Sequence, residues 1–269
     1  MKINWKRIFL SIIIGCYIIL FLCTNNIYFP SKEVYETKYP HENVYFKTID
    51  DKKLNAWYVP PKKEYPIIMF SHGNGGNISY FFDMLIPVAN MGYGVFIYDY
   101  RGYGKSEGFP FEKGLYKDAR AALNFLNNEK NIKSENIILW GLSIGGGVTS
   151  QIAIEDDFKA VILQSTFTNT RDMGKATLKR VTKKDWLQNL VYFVPFIQKF
   201  DNYSRIDKIT EPLLIVHSID DSMIPYYQAI KNNKKSKNGE FSLVNGDDHN
   251  DYENSLPVIV DFLEKIRFK

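Results

Sequence analysis

The chain is almost without cysteine. Its 269 residues include only Cys16 and Cys23, both at the N-terminal end, so the body that follows has no disulfide framework to draw on. Histidine is scarce as well, limited to His41, His72, His217 and His249. There is no His-Glu-x-x-His and no cysteine pair in the body, which removes the familiar metal readings. The glycines at 145–147 are not followed by Lys and Ser/Thr, so they are not a phosphate-cradling loop. Acidic residues are missing from 1–30, where Lys2, Lys6 and Arg7 carry most of the formal net charge of +4. The remainder is close to neutral and lacks the basic face that nucleic acid needs as a main partner. No repeat, flexible linker or low-complexity stretch occurs. A composition of 45% hydrophobic and 24% charged residues is that of a folded globular chain.

One long apolar run exists, at 8–23 (IFLSIIIGCYIILFLC), with Ser11 as its clear polar interruption. Trp5 before it and Tyr28 and Phe29 after it are residues suited to a membrane interface. The basic N-terminal flank predicts an N-terminal transmembrane helix with a cytoplasmic N-terminus, residues 1–30 forming anchor and linker. Two other readings share the layout. One is a cleaved signal peptide, although no small-x-small site follows. The other is a lipoprotein acylated at Cys16.

From residue 31 onward short apolar strands alternate with helical stretches. Strands are expected at 44–49, 54–59, 67–70, 95–98, 137–140, 160–163, 213–216 and 241–244. Near-continuous apolar runs of this length suit parallel strands buried on both faces. Helices are expected at about 79–90, 112–128, 144–155, 225–233 and 252–267. In the second of these Leu115, Ala119, Ala122, Leu123 and Leu126 fall on one face. The alternation predicts an α/β fold with a mostly parallel, doubly wound sheet, its chemistry at the carboxyl ends of the strands.

One such end carries Gly141-Leu142-Ser143-Ile144-Gly145 between an apolar strand and a helix. A serine on that turn needs a strained backbone, and glycines two residues to either side remove collisions with it. Ser143 is therefore the candidate nucleophile, and it needs a base oriented by a third group. His249, in a polar loop after the last strand, is placed to reach back over the turn. The strand ending at 216 runs into His217-Ser218-Ile219-Asp220-Asp221, offering Asp220 or Asp221 as the acid. The order Ser…Asp…His is the one that accompanies such an elbow. His41 reads as a surface residue, and His72 and His217 as structural.

With these residues in view, the chain over 25–269 resembles the α/β-hydrolase family, and within it membrane-anchored esterases and acyl-protein thioesterases. The resemblance rests on Ile27-Tyr28-Phe29-Pro30, on His72-Gly73-Asn74-Gly75-Gly76-Asn77, and on Asp99-Tyr100-Arg101-Gly102-Tyr103-Gly104. It implies that Asp221 is the acid, from the spacing of His217 and Pro225. It also implies an oxyanion hole made by the backbone N–H groups of Ile144 and Asn74, and no cofactor or metal. Asp247 and Asp248 stand where such chains usually carry small residues, and are expected to bear on the pH profile.

The stretch 166–209 is too long for a plain crossover and is expected to be a short helical lid on a hydrolase domain of residues 31–269. It opens with Arg171, Lys175, Lys179, Arg180, Lys183 and Lys184 against Asp172 and Asp185, then turns apolar from Trp186. That pattern suits a lipid surface or acyl chain, and equally a lid with a solvated basic face. The expected activity is hydrolysis of a carboxylic ester or thioester, of acyl or lipid-like type, through an acyl-serine. An aminopeptidase-like amidase and a catalytically silent, membrane-tethered binding protein are the alternatives.

Overall fold

A computed structural model describes residues 5–267; Lys2 of the basic flank lies outside them. In chain order the strands are β1 (Phe29–Pro30), β2 (Glu42–Lys47), β3 (Lys53–Val59), β4 (Ile67–Ser71), β5 (Gly75–Gly76), β6 (Gly94–Tyr98), β7 (Ile137–Leu142), β8 (Ala160–Gln164), β9 (Leu213–Ser218) and β10 (Gly239–Val244). The helices are α1 (Trp5–Asn25), α2 (Ile78–Phe81), α3 (Ile86–Met91), α4 (Glu112–Glu129), α5 (Ile144–Ile152), α6 (Thr170–Thr182), α7 (Tyr227–Lys235) and α8 (Ser255–Arg267).

Eight strands form one sheet in the order β10-β9-β8-β7-β4-β6-β3-β2, parallel from β10 to β6 and antiparallel for β3 and β2. The parallel, doubly wound expectation is met. Side chains alternate between two cores. Ile67 and Met69 of β4 pack with Leu115 and Leu123 of α4, whereas Ile68 and Phe70 pack with Val88 of α3 and Phe262 of α8. Both faces are thus covered, which is why β4, β6, β7, β8 and β9 are apolar at nearly every position. The chain leaves β4 toward β6 and later returns to its other side as β7. The strand order therefore reverses between β4 and β7, and a crevice opens at their carboxyl ends.

Two expectations change in detail. The helix foreseen at 79–90 is broken into α2, a 3-10 turn at Phe82–Leu85 and α3. Pro87, near the start of α3, has no N–H to continue a ladder from the preceding turn. The two-residue strands β1 and β5, which pair parallel with each other, were not foreseen.

The helix expected at the N-terminus is present as α1, with Ile8, Phe9, Leu10, Ile12, Ile13 and Ile14 exposed. The spanning part of that expectation is not supported, however. Among the described residues no helix is long and apolar enough to cross a membrane. The sixteen-residue apolar run rises about 24 Å at ~1.5 Å per residue, short of a hydrocarbon core about 30 Å thick.

Candidate active site

Ser143 sits between β7 and α5 with φ +56° and ψ −118°, a conformation a side chain adopts only under constraint. The constraint is visible. Its N–H donates to the Gln164 carbonyl at 3.0 Å, and its own carbonyl accepts from Gly146 N at 3.0 Å and from the Thr166 hydroxyl at 2.7 Å. Thr166 is held by Asn202 Nδ2 at 3.1 Å, and Asn202 Oδ1 accepts from Ser150 Oγ at 2.6 Å. The glycines are steric necessities. A Cβ at Gly145 would lie 1.9 Å from the Ser71 carbonyl oxygen, and one at Gly141 would lie 2.5 Å from that of Gly145. Without side chains there, the elbow seats directly against the end of β4.

The loops after β9 and β10 bring the other two groups in. His249 Nε2 is 3.0 Å from Ser143 Oγ, and His249 Nδ1 is 2.8 Å from Asp221 Oδ2. A carboxylate only accepts, so Nδ1 carries the proton and Nε2 is free to take one from the serine. All three residues are buried. The choice left open between the neighbouring carboxylates is decided by the direction of each. Asp221 Oδ1 accepts from Met223 N at 2.8 Å and Ile224 N at 2.7 Å, leaving Oδ2 for the imidazole. Asp220 is exposed and turns away, accepting from Gly246 N at 2.7 Å. Burial pushes the Asp221 carboxyl up, but hydrogen bonds from His217 and His249 outweigh it and hold the group well below the ordinary carboxylate range.

His217 does more than the sequence indicated. Its Nε2 donates to the Ile224 carbonyl at 2.8 Å and lies 3.2 Å from Asp221 Oδ2, so it braces the acid. Its place four residues before Asp221, at the strand end, was the available signal. The two extra carboxylates are both engaged elsewhere. Asp247 accepts from the Asn254 and Ser255 backbone N–H groups at the start of α8, and Asp248 from those of Ser222 and His249. They shape the loop.

Ile144 opens α5, directly after the serine, at the positive end of the helix. Asn74 lies in the loop after β4. His72 is fully buried at the start of that loop, with Nδ1 2.7 Å from the Gly73 carbonyl. Burial lowers it to about 4, and it does not reach the triad. His41 is half-buried rather than a surface group, its ring 4.4 Å from that of Trp57. The loop at 99–108 is architectural. Arg101 bonds Asp118 at 2.8 Å and Asp50 at 3.0 Å, and the Ser106 hydroxyl donates to the Asp99 carbonyl at 3.0 Å.

The insertion at 166–209 folds as α6, a 3-10 stretch at Asp185–Phe193 and a second at Ile206–Lys208. Val191 and Val194 are buried beneath it, but Trp186, Tyr192, Phe193 and Ile197 are exposed. An open groove of about 700 Å³, lined by Lys175, Lys179, Arg180, Tyr192 and Tyr227, lies between α6, the 3-10 stretch and the start of α7. Among the described residues no group of three or more His, Cys, Asp or Glu side chains is placed to hold a metal ion.

The model of the prolyl oligopeptidase family matches residues 79–249, and that of the acetyl xylan esterase (AXE1) family matches 32–113. The α/β hydrolase domain-containing protein WAV2 of Arabidopsis thaliana is 32% identical over 198 residues, 69% of this chain. The chain spans 63% of that protein's length. Protein YfhR of Escherichia coli (strain K12) is 27% identical over 225 residues, 80% of this chain and 75% of its own. The esterase Pf2001 of Pyrococcus furiosus superposes with a TM-score of 0.71 at 18% identity, over 89% of this chain and 97% of that one. At that identity the likeness is one of fold.

Proposed function

The chain belongs to the prolyl oligopeptidase family of α/β-hydrolases, and from that premise we propose that it is a serine hydrolase cleaving carboxylic esters or thioesters through an acyl-serine intermediate. The observation that carries this is the hydrogen-bonded series Ser143–His249–Asp221 at a strained elbow. Ser143 Oγ attacks the substrate carbonyl carbon and passes its proton to His249 Nε2. Asp221 stabilises the imidazolium and fixes the ring. The carbonyl oxygen gains a negative charge that the N–H groups of Ile144 and Asn74 receive. His249 returns the proton to the departing alcohol or thiol, the acyl group remains on Ser143, and water activated by the same histidine releases it.

The acetyl xylan esterase match over 32–113 favours esters. The exposed Trp186, Phe193 and Ile197 beside the basic turn Lys183-Lys184 favour an acyl or lipid-like substrate. The prolyl oligopeptidase match supports a second reading, an aminopeptidase-like amidase using the same groups. For location, we propose that α1 seats the enzyme on a membrane with its N-terminus on the cytoplasmic side. The support is its exposed apolar side chains next to Lys6 and Arg7.

The full chain in detergent should hydrolyse p-nitrophenyl esters and be labelled on Ser143 by a fluorophosphonate. Faster turnover of aminoacyl p-nitroanilides would select the amidase. Absence of both activities and of labelling in a folded sample would leave a silent binding protein. The full chain should sediment with membrane vesicles and lose that association when α1 is deleted, and a mature N-terminus at Cys16 bearing lipid would replace the helix with a lipoprotein anchor.

A further inference from the structure

The segment that precedes the body, residues 27–31, is bound to the loop that carries Asn74. Phe29 and Pro30 pair in parallel with Gly75 and Gly76. Ser31 N donates to the Gly76 carbonyl at 2.8 Å, and the Ser31 carbonyl accepts from Gly104 N at 3.0 Å. The Asn74 side chain takes no part in the triad. Its Nδ2 donates to the Ile27 carbonyl. The Tyr103 hydroxyl lies 2.8 Å from the Asn74 carbonyl oxygen and 3.0 Å from Asn74 Oδ1. On its other side the leader is fixed by the buried Tyr28, whose hydroxyl donates to Gln198 Oε1 at 3.1 Å and whose ring meets Phe200 edge-on.

These contacts matter because the loop is packed against Phe81 at Gly73 and Tyr80 at Gly76 but open at Gly75, beside Asn74. Asn74 lies between Gly73 and the pair Gly75-Gly76, residues with the widest conformational freedom. A Cβ on Gly75 would meet no atom within 4 Å, so the loop is not packed at that point. An oxyanion donor works only when it is already aimed at the developing charge. We infer that the leader strand β1 is a working part of the oxyanion hole: with Asn74 Nδ2 and the Tyr103 hydroxyl it holds the Asn74 main chain, making the Asn74 side chain and Tyr103 positioning residues. This rests on the reading of Asn74 N–H as an oxyanion donor. Neither side chain touches substrate; both act through the backbone they fix.

The test uses the full chain in detergent and a p-nitrophenyl ester, with thermal unfolding recorded for each variant. Asn74→Ala keeps the backbone N–H and removes the amide that grips Ile27. Tyr103→Phe removes a single hydroxyl and serves as the second variant should the first fail to fold. Complete loss of an oxyanion donor costs about 10²–10³ in kcat. A loosened donor should cost about tenfold to a hundredfold in kcat, with KM within about threefold and the shape of the pH–rate profile unchanged. A kcat within about twofold of wild type in both folded variants, or a loss confined to KM, would overturn the inference. Ser143→Ala is the control for the underlying reading: if it retains full activity, the hydrolytic assignment has failed instead.

Discussion

Replacing Asp221 by asparagine isolates the choice between two adjacent carboxylates. Asp221 Oδ1 accepts from the N–H groups of Met223 and Ile224, and Oδ2 accepts from His249 Nδ1 with His217 Nε2 3.2 Å away. Asparagine has one acceptor oxygen. With that oxygen toward the imidazoles, two buried backbone N–H groups are stranded, at about 1–3 kcal/mol each. The amide therefore keeps its oxygen on the backbone and presents its NH₂ to His249. Two donors then face each other, and His249 relieves the conflict by moving its proton to Nε2. In that tautomer it cannot accept the proton of Ser143. His217 still has the Ile224 carbonyl at 2.8 Å, so the fold survives. The loss should be about 10⁴-fold in kcat with KM little changed, close to that of Ser143→Ala. Asp220→Asn retains an acceptor for Gly246 N at an exposed site and should cost less than about tenfold. Steady-state kinetics on a p-nitrophenyl ester, with melting curves to confirm folding, decide the matter. An Asp221→Asn enzyme within about tenfold of wild type, or a larger loss for Asp220→Asn, would refute the assignment of the acid.

Three further outcomes follow from the geometry. Gly145→Ala forces a Cβ onto the Ser71 backbone at 1.9 Å and should cost about 1–3 kcal/mol in urea unfolding along with most activity, whereas Gly75→Ala meets open space and should leave stability within about 0.5 kcal/mol. Burial raises Asp99 to about 7 and lowers His72 to about 4. The raised acid makes stability fall as pH rises toward 7, and the lowered base makes it fall as pH drops from 6.5 toward 4, so the two oppose each other between pH 4 and 6.5. In Asp99→Asn only the histidine remains, and chemical denaturation should show stability rising across that window by up to about 1.4 kcal/mol per pH unit more than wild type. Asp221 is held below the ordinary carboxylate range, so it contributes stability above that range which disappears only in stronger acid. Asp221→Asn should accordingly show a flatter decline below about pH 4, measured by the same denaturation.

The residues of the strands, the elbow serine and the histidine after the last strand could be read directly from the chain because each depends on local pattern. A strand buried on both faces must be apolar throughout, as Ile67–Ser71 largely is, and an elbow serine must have glycines beside it because neighbouring backbone lies within 2.5 Å of where their Cβ would be. Other features depended on where distant side chains point. Asp220 and Asp221 are adjacent and chemically identical, and only the loop's path turns one toward His249 and the other toward Gly246. His217 bracing the acid, and Asp247 capping α8 instead of serving the base, are likewise matters of direction. The pairing of Phe29–Pro30 with Gly75–Gly76 left no periodicity to detect. Two-residue strands are too short to show one, and their hydrogen bonds run between backbone atoms that every sequence supplies.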